Sequence, residues 1–512
     1  MIHQNTTVTH RASIQILLSA LLCGSLSADE LKISSVFTDH AVIQRDMPIP
    51  IWGTAKADTE VTVQFGEQSR TAIAAADGSW QVLLAALPAN AAGSSMIVKS
   101  EAQRIELQDL LVGEVWYASG QSNMQMKVAA CARKINAIAQ IVNDSAMANI
   151  RMMRIDDNDS PKRRSQLLKA SAWQLDTPTN RAQQSAVGYF FARQLNAELK
   201  VPIGIIEGSW GGKPIEGFIP RGQFERYKDL QPILMLAEQN KLEQLSRLKG
   251  GVLVRNTAGM PTRIFNARVA PITPFAIRGL IWYQGESNAG RGEDPRNYRI
   301  KMRALIEGWR AAWKQSELPF YFVQLPAFNN DATGWVRLRE EQRRSLEIPH
   351  TGMAVTIDLR DSDIHPSNKL DVGNRLARWA LAKTYDKDIP CSGPLFQAAT
   401  IEKDSVRVEF DYAINGLMIA RKLGIEPPVP TPNATLAHFE LADESGEWQP
   451  AQATIDGSTV HVHNPQIKHP RAVRYACSGD PENANLYNQA GLPASPFCSD
   501  LQLLPWASTS PN

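Results

Sequence analysis

A serine that follows a glycine turn is the first candidate for chemistry in this chain. A β-type run, Glu114–Ala118, leads into Ser119-Gly-Gln-Ser-Asn-Met124, so Ser122 stands just beyond a predicted strand end. Gly120 permits the tight turn that would expose a nucleophile at the rim of a sheet. The segment is not a G-x-S-x-G elbow, because Met124 occupies the place of the second glycine. A turn serine without a catalytic role is the alternative, so the hypothesis needs partner residues.

A histidine late in the chain could serve as the base for such a serine. His365 lies in Asp361-Ser-Asp-Ile-His-Pro366, and the proline disfavours helical backbone at the residue before it. An imidazole on an extended segment can take a proton from a serine hydroxyl near neutral pH. Asp363 lies two residues earlier and would point the same way, so it could orient the ring. The alternative is that Asp363 and Asp361 only solvate a loop.

Two further segments carry groups that could stabilise an oxyanion. Gln284 and Asn288 follow the predicted strand Gly279–Tyr283, and neutral amides donate hydrogen bonds without a change of protonation. Gly211 and Gly212 follow another predicted strand, and glycine lets a backbone N–H approach a substrate closely. The alternative for both segments is a loop that uses glycine for its conformation and tryptophan for packing.

The elements that would position these residues repeat as strand, helix, strand between residues 111 and 385. This repetition is typical of an α/β domain with a mainly parallel sheet. Active sites of such sheets lie beyond the carboxyl ends of the strands, where the candidate residues fall. The predicted strands are Glu114–Ala118, Val201–Ile206, Gly279–Tyr283, Phe320–Gln324 and Met353–Ile357, and the predicted helices are Ala186–Leu199, Tyr298–Trp313 and Leu370–Lys383.

A β-rich unit is predicted on each side of this domain. Residues 28–110 hold short alternating runs such as Val61–Phe65, which indicate a small sandwich-like domain. Residues 386–512 are again β-like, with runs such as Val406–Phe410, and rich in proline between them. We expect this C-terminal β-rich region to pack on the α/β core.

The composition excludes some classes of partner. A chain of 512 residues with 43% hydrophobic and 21% charged residues is expected to fold into about three domains. The net charge of +2 has no basic block behind it, which argues against nucleic acid as a partner. Cysteine and histidine spacings do not suggest a zinc site. We expect no metal and no cofactor. The oligomeric state stays open.

The N-terminus has the pattern of a signal peptide. His10 and Arg11 precede the apolar run Ile14–Leu22, and small residues follow, so cleavage is expected just before Ala28. The run is too short to span a bilayer comfortably. Residues 1–27 are therefore predicted to direct export to the periplasm or the extracellular space.

Four cysteines remain in the predicted mature chain, and exported proteins can pair them. Cys477 and Cys498 are close in sequence and are the expected pair. Buried free thiols are the alternative.

The motifs resemble those of the sialate O-acetylesterase family, which is similar to SGNH-type hydrolases. The resemblance covers nearly all of the predicted mature chain, with the motifs in the family's order. The residues that carry it are Val42–Arg45, Ile51–Thr54, Gly113–Trp116, Ser119–Met124, Ser185–Phe190, Trp210–Gly212, Trp282–Asn288, Ile364–Pro366, Asn485–Asn488 and Gly491–Phe497.

The resemblance implies a three-layer SGNH-like domain and a serine esterase. Ser122 would be the nucleophile, His365 the general base, and an acetyl-enzyme the intermediate. The oxyanion hole would combine the Ser122 N–H, one of the two glycines and one of the two amides named above. The implied substrate is an acetylated carbohydrate, either sialic acid or an acetylated polysaccharide. The tryptophans Trp210, Trp282 and Trp335 are candidates for sugar contacts.

One departure from the resemblance concerns the orienting acid. Many SGNH enzymes have an aspartate three residues before the histidine, where this chain has Ser362. Asp363 and Asp361 flank that position. Asp363 is the favoured substitute, Asp361 is the other candidate, and a Ser–His dyad helped by a backbone carbonyl remains open. Two other classes stay as alternatives. One is a non-catalytic carbohydrate-binding protein on a degenerate esterase scaffold, and the other is a glycosidase with Glu286 and Asp363 as paired carboxylates.

Overall fold

The computed structural model describes Met1 and residues 30–241, 260–289, 294–328, 332–413 and 415–506. The predicted signal peptide and its cleavage site lie almost wholly outside these ranges, so export stays a prediction. Within these ranges, no helix combines the length and apolar character that a membrane crossing requires.

Eight strands build the N-terminal part of the chain. In Glu60–Phe65 the buried side chains Val61, Val63 and Phe65 alternate with more exposed ones, as expected for a strand with one face on a core. The first, third and sixth strands form a separate three-stranded sheet. The strands are β1 (Lys32–Ile33), β2 (Val42–Gln44), β3 (Ile49–Thr54), β4 (Glu60–Phe65), β5 (Gln68–Ile73), β6 (Ser79–Leu84), β7 (Asn90–Lys99) and β8 (Arg104–Gly120).

The long strand β8 joins the N-terminal unit to the centre of the molecule. Its first half pairs antiparallel with β7, and residues 111–113 pair with β2. Its second half, from Leu110 to Gly120, is buried throughout. The boundary predicted between residues 110 and 111 therefore falls inside one continuous strand, and the domain limits remain predictions.

A mostly parallel sheet forms the centre. Its order is β10-β9-β11-β8-β12-β13-β14, and β10 alone on this path runs antiparallel to its neighbour. Each of the five strands predicted for this domain lies at an observed strand. The strands that join β8 are β9 (Ile150–Arg154), β10 (Gln174–Leu175), β11 (Ile203–Glu207), β12 (Gly279–Tyr283), β13 (Phe320–Val323) and β14 (Thr351–Ala354).

Helices of the described ranges connect these strands. The predicted helices Ala186–Leu199 and Tyr298–Trp313 have the predicted bounds, and the third begins one residue earlier than predicted. The helices are α1 (Ser122–Gln125), α2 (Val128–Ala132), α3 (Asn136–Asn143), α4 (Pro178–Gln183), α5 (Ala186–Leu199), α6 (Arg221–Arg226), α7 (Gln231–Glu238), α8 (Tyr298–Trp313), α9 (Ala332–Arg344) and α10 (Lys369–Lys383).

Aromatic side chains show that helices cover both faces of the sheet. Trp116 packs edge-on against Phe191 of α5. Tyr117, the next residue of β8, packs against Trp309 and Trp313 of α8. Because successive strand residues point to opposite faces, α5 and α8 lie on opposite sides. This is the predicted three-layer α/β arrangement.

The C-terminal region consists of small antiparallel sheets on the central domain. Gln324 at the end of β13 donates to Ser495 Oγ at 2.9 Å, and Arg339 of α9 donates to Ser478 O at 2.8 Å. The predicted β-rich C-terminal region is confirmed. Its strands are β15 (Leu395–Glu402), β16 (Ser405–Asp411), β17 (Leu417–Arg421), β18 (Val429–Pro430), β19 (Phe439–Ala442), β20 (Trp448–Pro450), β21 (Gln452–Asp456), β22 (Thr459–His463), β23 (Ala472–Tyr475), β24 (Leu486–Asn488) and β25 (Phe497–Cys498).

The expected disulfide between Cys477 and Cys498 is not formed. All four cysteines of the described ranges are free thiols. In the pairing of β23 with β25, Cys498 lies opposite Arg474, so Cys477 is three residues out of register with it. The Cys477 thiol donates to Phe497 O at 3.1 Å instead. Burial raises the pKa of Cys498 to about 12, which makes this thiol unreactive.

Candidate active site

Ser122 stands at the first turn after β8, at the carboxyl edge of the sheet. Gly120 has φ 132°, and a Cβ there would lie 2.1 Å from Tyr283 O of the neighbouring strand β12. The Gln121 N–H donates to the same carbonyl at 2.9 Å. The chain therefore turns sharply against β12, and α1 begins with Ser122 partly exposed.

His365 reaches this serine from a loop that follows β14. Its Nε2 lies 2.9 Å from Ser122 Oγ. Its Nδ1 lies 3.2 Å from Asp363 Oδ1, which also accepts from the His365 backbone N–H at 3.2 Å. The structure thus brings together the three residues predicted to form the catalytic set. The Asp363 side chain is 51% exposed, so solvent weakens its hold on the imidazole.

Asp361 serves the loop and not the imidazole. Its Oδ2 accepts from Ser367 Oγ at 2.9 Å and lies 3.3 Å from Lys134 Nζ. Burial alone would raise the pKa of Asp361, but hydrogen bonds from Ser367 and Ser362 and the Lys134 ammonium bring that pKa below its usual value. Asp361 therefore stays ionised and holds the two ends of the His365 loop together.

The glycine pair lies beside the nucleophile. A Cβ on Gly211 would lie 3.5 Å from Ser122 Cβ, so this residue is a direct neighbour of the serine. The Gly211 N–H donates to Gln125 Oε1 at 3.0 Å. Gly212 has φ 68° and open space around it, so its conformation rather than a close approach calls for glycine. Of the two, Gly211 is the one placed to face a substrate.

Buried charges hold the glycine segment in place. Ser209 N–H donates to Glu207 Oε1 at 2.9 Å, and Arg268 donates to Ser209 O at 2.9 Å. Burial raises the pKa of Glu207, while Ser209 and the Arg268 guanidinium oppose that rise. The Arg268 guanidinium also lies 5.6 Å from the centre of the Trp210 ring. The loop before Gly211 is therefore fixed by a network below the surface.

The two predicted amide donors are occupied inside the protein. Gln284 Nε2 donates to Gln121 Oε1 at 3.1 Å and to Asn288 Oδ1 at 2.7 Å. Asn288 Nδ2 donates to Glu216 Oε2 at 3.0 Å, and its Oδ1 accepts from Ile215 N–H at 3.0 Å. Both amides are almost fully buried. This geometry favours a role in supporting the nucleophile turn, and direct contact with an oxyanion stays a prediction.

Three residues at the site were not singled out as a group by the sequence. Asn123 Nδ2 donates to Glu286 Oε1 at 2.5 Å and to Ile364 O at 3.0 Å. Its Oδ1 accepts from Lys369 Nζ at 2.6 Å. Burial raises the pKa of Glu286, and the hydrogen bond from Asn123 opposes that rise. The position of Asn123 next to Ser122 was a signal, whereas nothing local marks Lys369 as buried.

The tryptophans proposed for sugar contacts are mostly internal. Trp282 and Trp335 are each 1% exposed. Trp282 packs edge-on against Phe218 and Trp309. Among the three candidates only Trp210 is partly exposed. The expectation is therefore wrong for Trp282 and Trp335, because both side chains fill the core.

The arrangement can perform acyl transfer. A serine hydroxyl at hydrogen-bond distance from an imidazole is the pairing that nucleophilic catalysis requires. The Ser122 N–H, at the start of α1, has no acceptor among the described residues. A backbone N–H in that place can donate to an oxygen that develops negative charge.

Comparison with known proteins places this chain in a family of esterases. The family model described as carbohydrate esterase, sialic acid-specific acetylesterase, matches residues 259–382. Mouse (Mus musculus) sialate O-acetylesterase is 28% identical over 532 aligned residues, which cover 92% of this chain and 94% of the mouse protein. The human (Homo sapiens) enzyme of that name is 28% identical over 407 residues, covering 71% and 73% of the two chains.

A solved structure agrees along almost the whole chain. A carbohydrate acetylesterase from Xanthomonas citri is 33% identical, with a TM-score of 0.80, and the match covers 92% of this chain and 99% of that one. The shared fold extends through the N-terminal strands, the central sheet and the C-terminal sheets. The chain therefore belongs to the sialate O-acetylesterase family of carbohydrate esterases and is a carboxylic ester hydrolase.

Proposed function

We propose that this protein removes O-acetyl groups from carbohydrates through an acetyl-enzyme on Ser122. The observation that carries the proposal is the distance of 2.9 Å between Ser122 Oγ and His365 Nε2, at the carboxyl edge of the sheet. The names of the mouse and Xanthomonas citri relatives support acetylated carbohydrate as the substrate class.

In the first half of the reaction, Ser122 Oγ attacks the acetyl carbonyl carbon as His365 Nε2 takes the hydroxyl proton. The carbonyl oxygen becomes an oxyanion, to which the Ser122 N–H donates. As the tetrahedral intermediate collapses, the bond to the sugar oxygen breaks, and that oxygen takes the proton from His365 Nε2. The sugar leaves with a free hydroxyl, and the acetyl group stays on Ser122.

In the second half, a water molecule attacks the acetyl carbon and gives a proton to His365 Nε2. The second tetrahedral intermediate collapses when Ser122 Oγ leaves and takes that proton back. The product is acetic acid, which ionises in solution. No step needs a metal or a redox partner, and both proton transfers use the same ring nitrogen.

A second candidate for the oxyanion donor is the Gly211 N–H. Gly211 lies beside Ser122, and its N–H donates to Gln125 Oε1 at 3.0 Å in the free protein. We assign it to the oxyanion on condition that Gln125 releases it when substrate binds. The half-buried Trp210 ring, next to Gly211 in the chain, is the aromatic surface against which a sugar packs. The N-terminal pattern predicts export, so the protein acts outside the cytoplasm.

The test combines labelling with acetate release. A fluorophosphonate probe is expected to label the unaltered protein at Ser122, and Ser122→Ala is expected to abolish both labelling and acetate release. The expected loss is on the order of 10⁶-fold, as for nucleophile removal elsewhere. The exposed Ser69 on β5 provides a matched control, because Ser69→Ala should keep full activity. Acetate release by Ser122→Ala near the original rate would refute the serine mechanism.

Substrate class and export are tested separately. Acetate release is compared on acetylated xylan, acetylated xyloglucan, acetylated pectin and O-acetylated sialic acids. Release from none of these, with Ser122 still labelled, would contradict carbohydrate as the substrate. Export is tested by N-terminal sequencing of the secreted protein, which should begin near Ala28, and retention of an intact N-terminus in the cell would contradict it.

A further inference from the structure

A buried lysine lies next to the candidate catalytic pair and has no part in the reaction above. Lys369 is in the first turn of α10, four residues after His365, and is 0% exposed. A lysine this deeply buried is rare, because removing an ammonium from water is costly. Its surroundings must offset that cost, and they turn out to be parts of the active site.

The Lys369 ammonium connects both sides of the Ser122–His365 contact. Its Nζ donates to Asn123 Oδ1 at 2.6 Å and to Pro366 O at 2.5 Å. Asn123 in turn donates to Ile364 O at 3.0 Å. The carbonyls of the residues on either side of His365 are therefore both tied to this lysine, one directly and one through Asn123.

The same amide links the lysine to a buried acid. Asn123 Nδ2 donates to Glu286 Oε1 at 2.5 Å, so the chain of hydrogen bonds runs from the ammonium through the amide to a carboxyl group. The Lys369 ammonium also lies 5.4 Å from the centre of the Tyr283 ring. The ammonium and the amide therefore both have hydrogen-bond partners at a depth where a polar group without one is costly.

The charge is retained at an energetic cost. Burial lowers the pKa of Lys369 to about 8, although nearby groups oppose that change. An apolar side chain of similar size would avoid the cost, so packing alone does not explain a lysine here. The groups that oppose the shift lie on three different segments and are Cys131, Glu286, Asp361 and Asp363.

We propose that Lys369 is a positioning residue that holds the His365 loop against the Ser122 turn through Asn123. The proposal rests on the proposed function of Ser122 and His365. Lys369 does not touch the acetyl group. It fixes the backbone on both sides of His365, so that Nε2 stays within hydrogen-bond distance of Ser122 Oγ.

The test replaces Lys369 with methionine and measures hydrolysis of para-nitrophenyl acetate. Each rate is divided by the concentration of active sites. That concentration is measured as the amount of Ser122 labelled by fluorophosphonate when the labelling reaction is complete. Misplacement by about 1 Å can reduce a rate by about 10²-fold, so kcat of Lys369→Met is expected to fall roughly 10- to 100-fold. KM should stay within about threefold, because ground-state binding is not removed. The control Lys383→Met changes an exposed lysine of the same helix and should keep kcat.

A double-mutant cycle with Asn123→Ala separates positioning from general destabilisation. If Lys369 acts through Asn123, the double variant should have a kcat within about threefold of Asn123→Ala alone. Multiplicative losses would overturn the route through Asn123. A kcat of Lys369→Met within about twofold of the unaltered enzyme would overturn the proposal altogether.

Two outcomes keep this proposal distinct from the previous one. If fluorophosphonate fails to label Ser122 in the unaltered enzyme, the serine mechanism fails, whatever Lys369 does. If labelling succeeds and Lys369→Met keeps its kcat, only the positioning role fails. Should Lys369→Met not fold, Lys369→Gln takes its place, because it keeps N–H donors and removes the charge. A drop of at least about fivefold in its kcat is expected, and no drop would overturn the proposal.

Discussion

A single added methyl group at the nucleophile turn should disable the enzyme. In Gly120→Ala the new Cβ would be placed 2.1 Å from Tyr283 O, whereas real contacts of this kind do not fall below 3.0 Å. The strand end must therefore move by about 1 Å, and it must do so at φ 132°, where alanine is disfavoured. Backbone strain of about 1–3 kcal/mol and overpacking of about 1–3 kcal/mol predict a loss of about 2–6 kcal/mol in the free energy of unfolding.

The activity of Gly120→Ala should fall by more than the unfolded fraction of the variant accounts for. A 1 Å displacement of Ser122 from His365 corresponds to a fall in kcat of about 10²-fold in the folded fraction. The assay is acetate release per folded molecule, with urea denaturation run in parallel. Gly222→Ala is the matched control, because a Cβ there meets no atom within 4 Å. If Gly120→Ala has the same free energy of unfolding and the same kcat as Gly222→Ala, the close approach of Gly120 to Tyr283 O is refuted.

Two further predictions concern charged groups at the site. Asp363→Asn should lower kcat/KM by no more than about tenfold, because an exposed pair contributes about 0.2–1 kcal/mol, and a loss near the 10⁴-fold seen for a buried triad aspartate would contradict this. The second uses pH. The pKa of Lys369 is about 8 in the folded protein, against its ordinary value of 10.5 in the unfolded chain, so the unfolded chain binds more protons between these values and rising pH favours the folded state. Relative to Lys369→Met, the unfolding free energy should rise by about 1.4 kcal/mol per pH unit in this window. Urea denaturation at pH 8 and pH 10 measures it, and a constant difference would contradict the burial of this charge.

The sequence predicted the central sheet well where strands are buried on both faces. Gly279–Tyr283 is a continuous apolar run, as a central parallel strand requires, and its bounds match the structure. Ile150–Arg154 was missed because Arg151 and Arg154 interrupt the apolar pattern. In the fold, Arg151 reaches Asp109 at 3.2 Å, a partner 42 residues away that no local pattern could reveal.

Helix α9 was missed for a similar reason. The segment contains four charged residues, which are typical of an exposed surface. All four are buried in the structure: Arg337, Arg339, Glu340 and Glu341. Arg339 donates to the carbonyls of Ser478 and Gly479 of the C-terminal region. Tertiary partners satisfy these charges, and a periodicity argument cannot include partners that lie far along the chain.

The candidate site shows the same division between local and distant information. The turn at Gly120 and the extended segment before Pro366 follow from local rules, and the structure brings Ser122 and His365 to 2.9 Å. The environment of the amides Gln284 and Asn288 depends on Glu216 and Gln121, which come from other segments. The catalytic and oxyanion roles themselves remain predictions for experiment.

Trapping the acetyl-enzyme shows whether Ser122 carries the acetyl group during turnover. The enzyme is mixed with an acetylated substrate, quenched with acid during turnover, digested and analysed by mass spectrometry. A covalent mechanism through Ser122 predicts one added acetyl group on the peptide that contains Ser122, and none on the same peptide of Ser122→Ala. Continued acetate release by Ser122→Ala at the original rate, with no acetylated peptide in either protein, would contradict it.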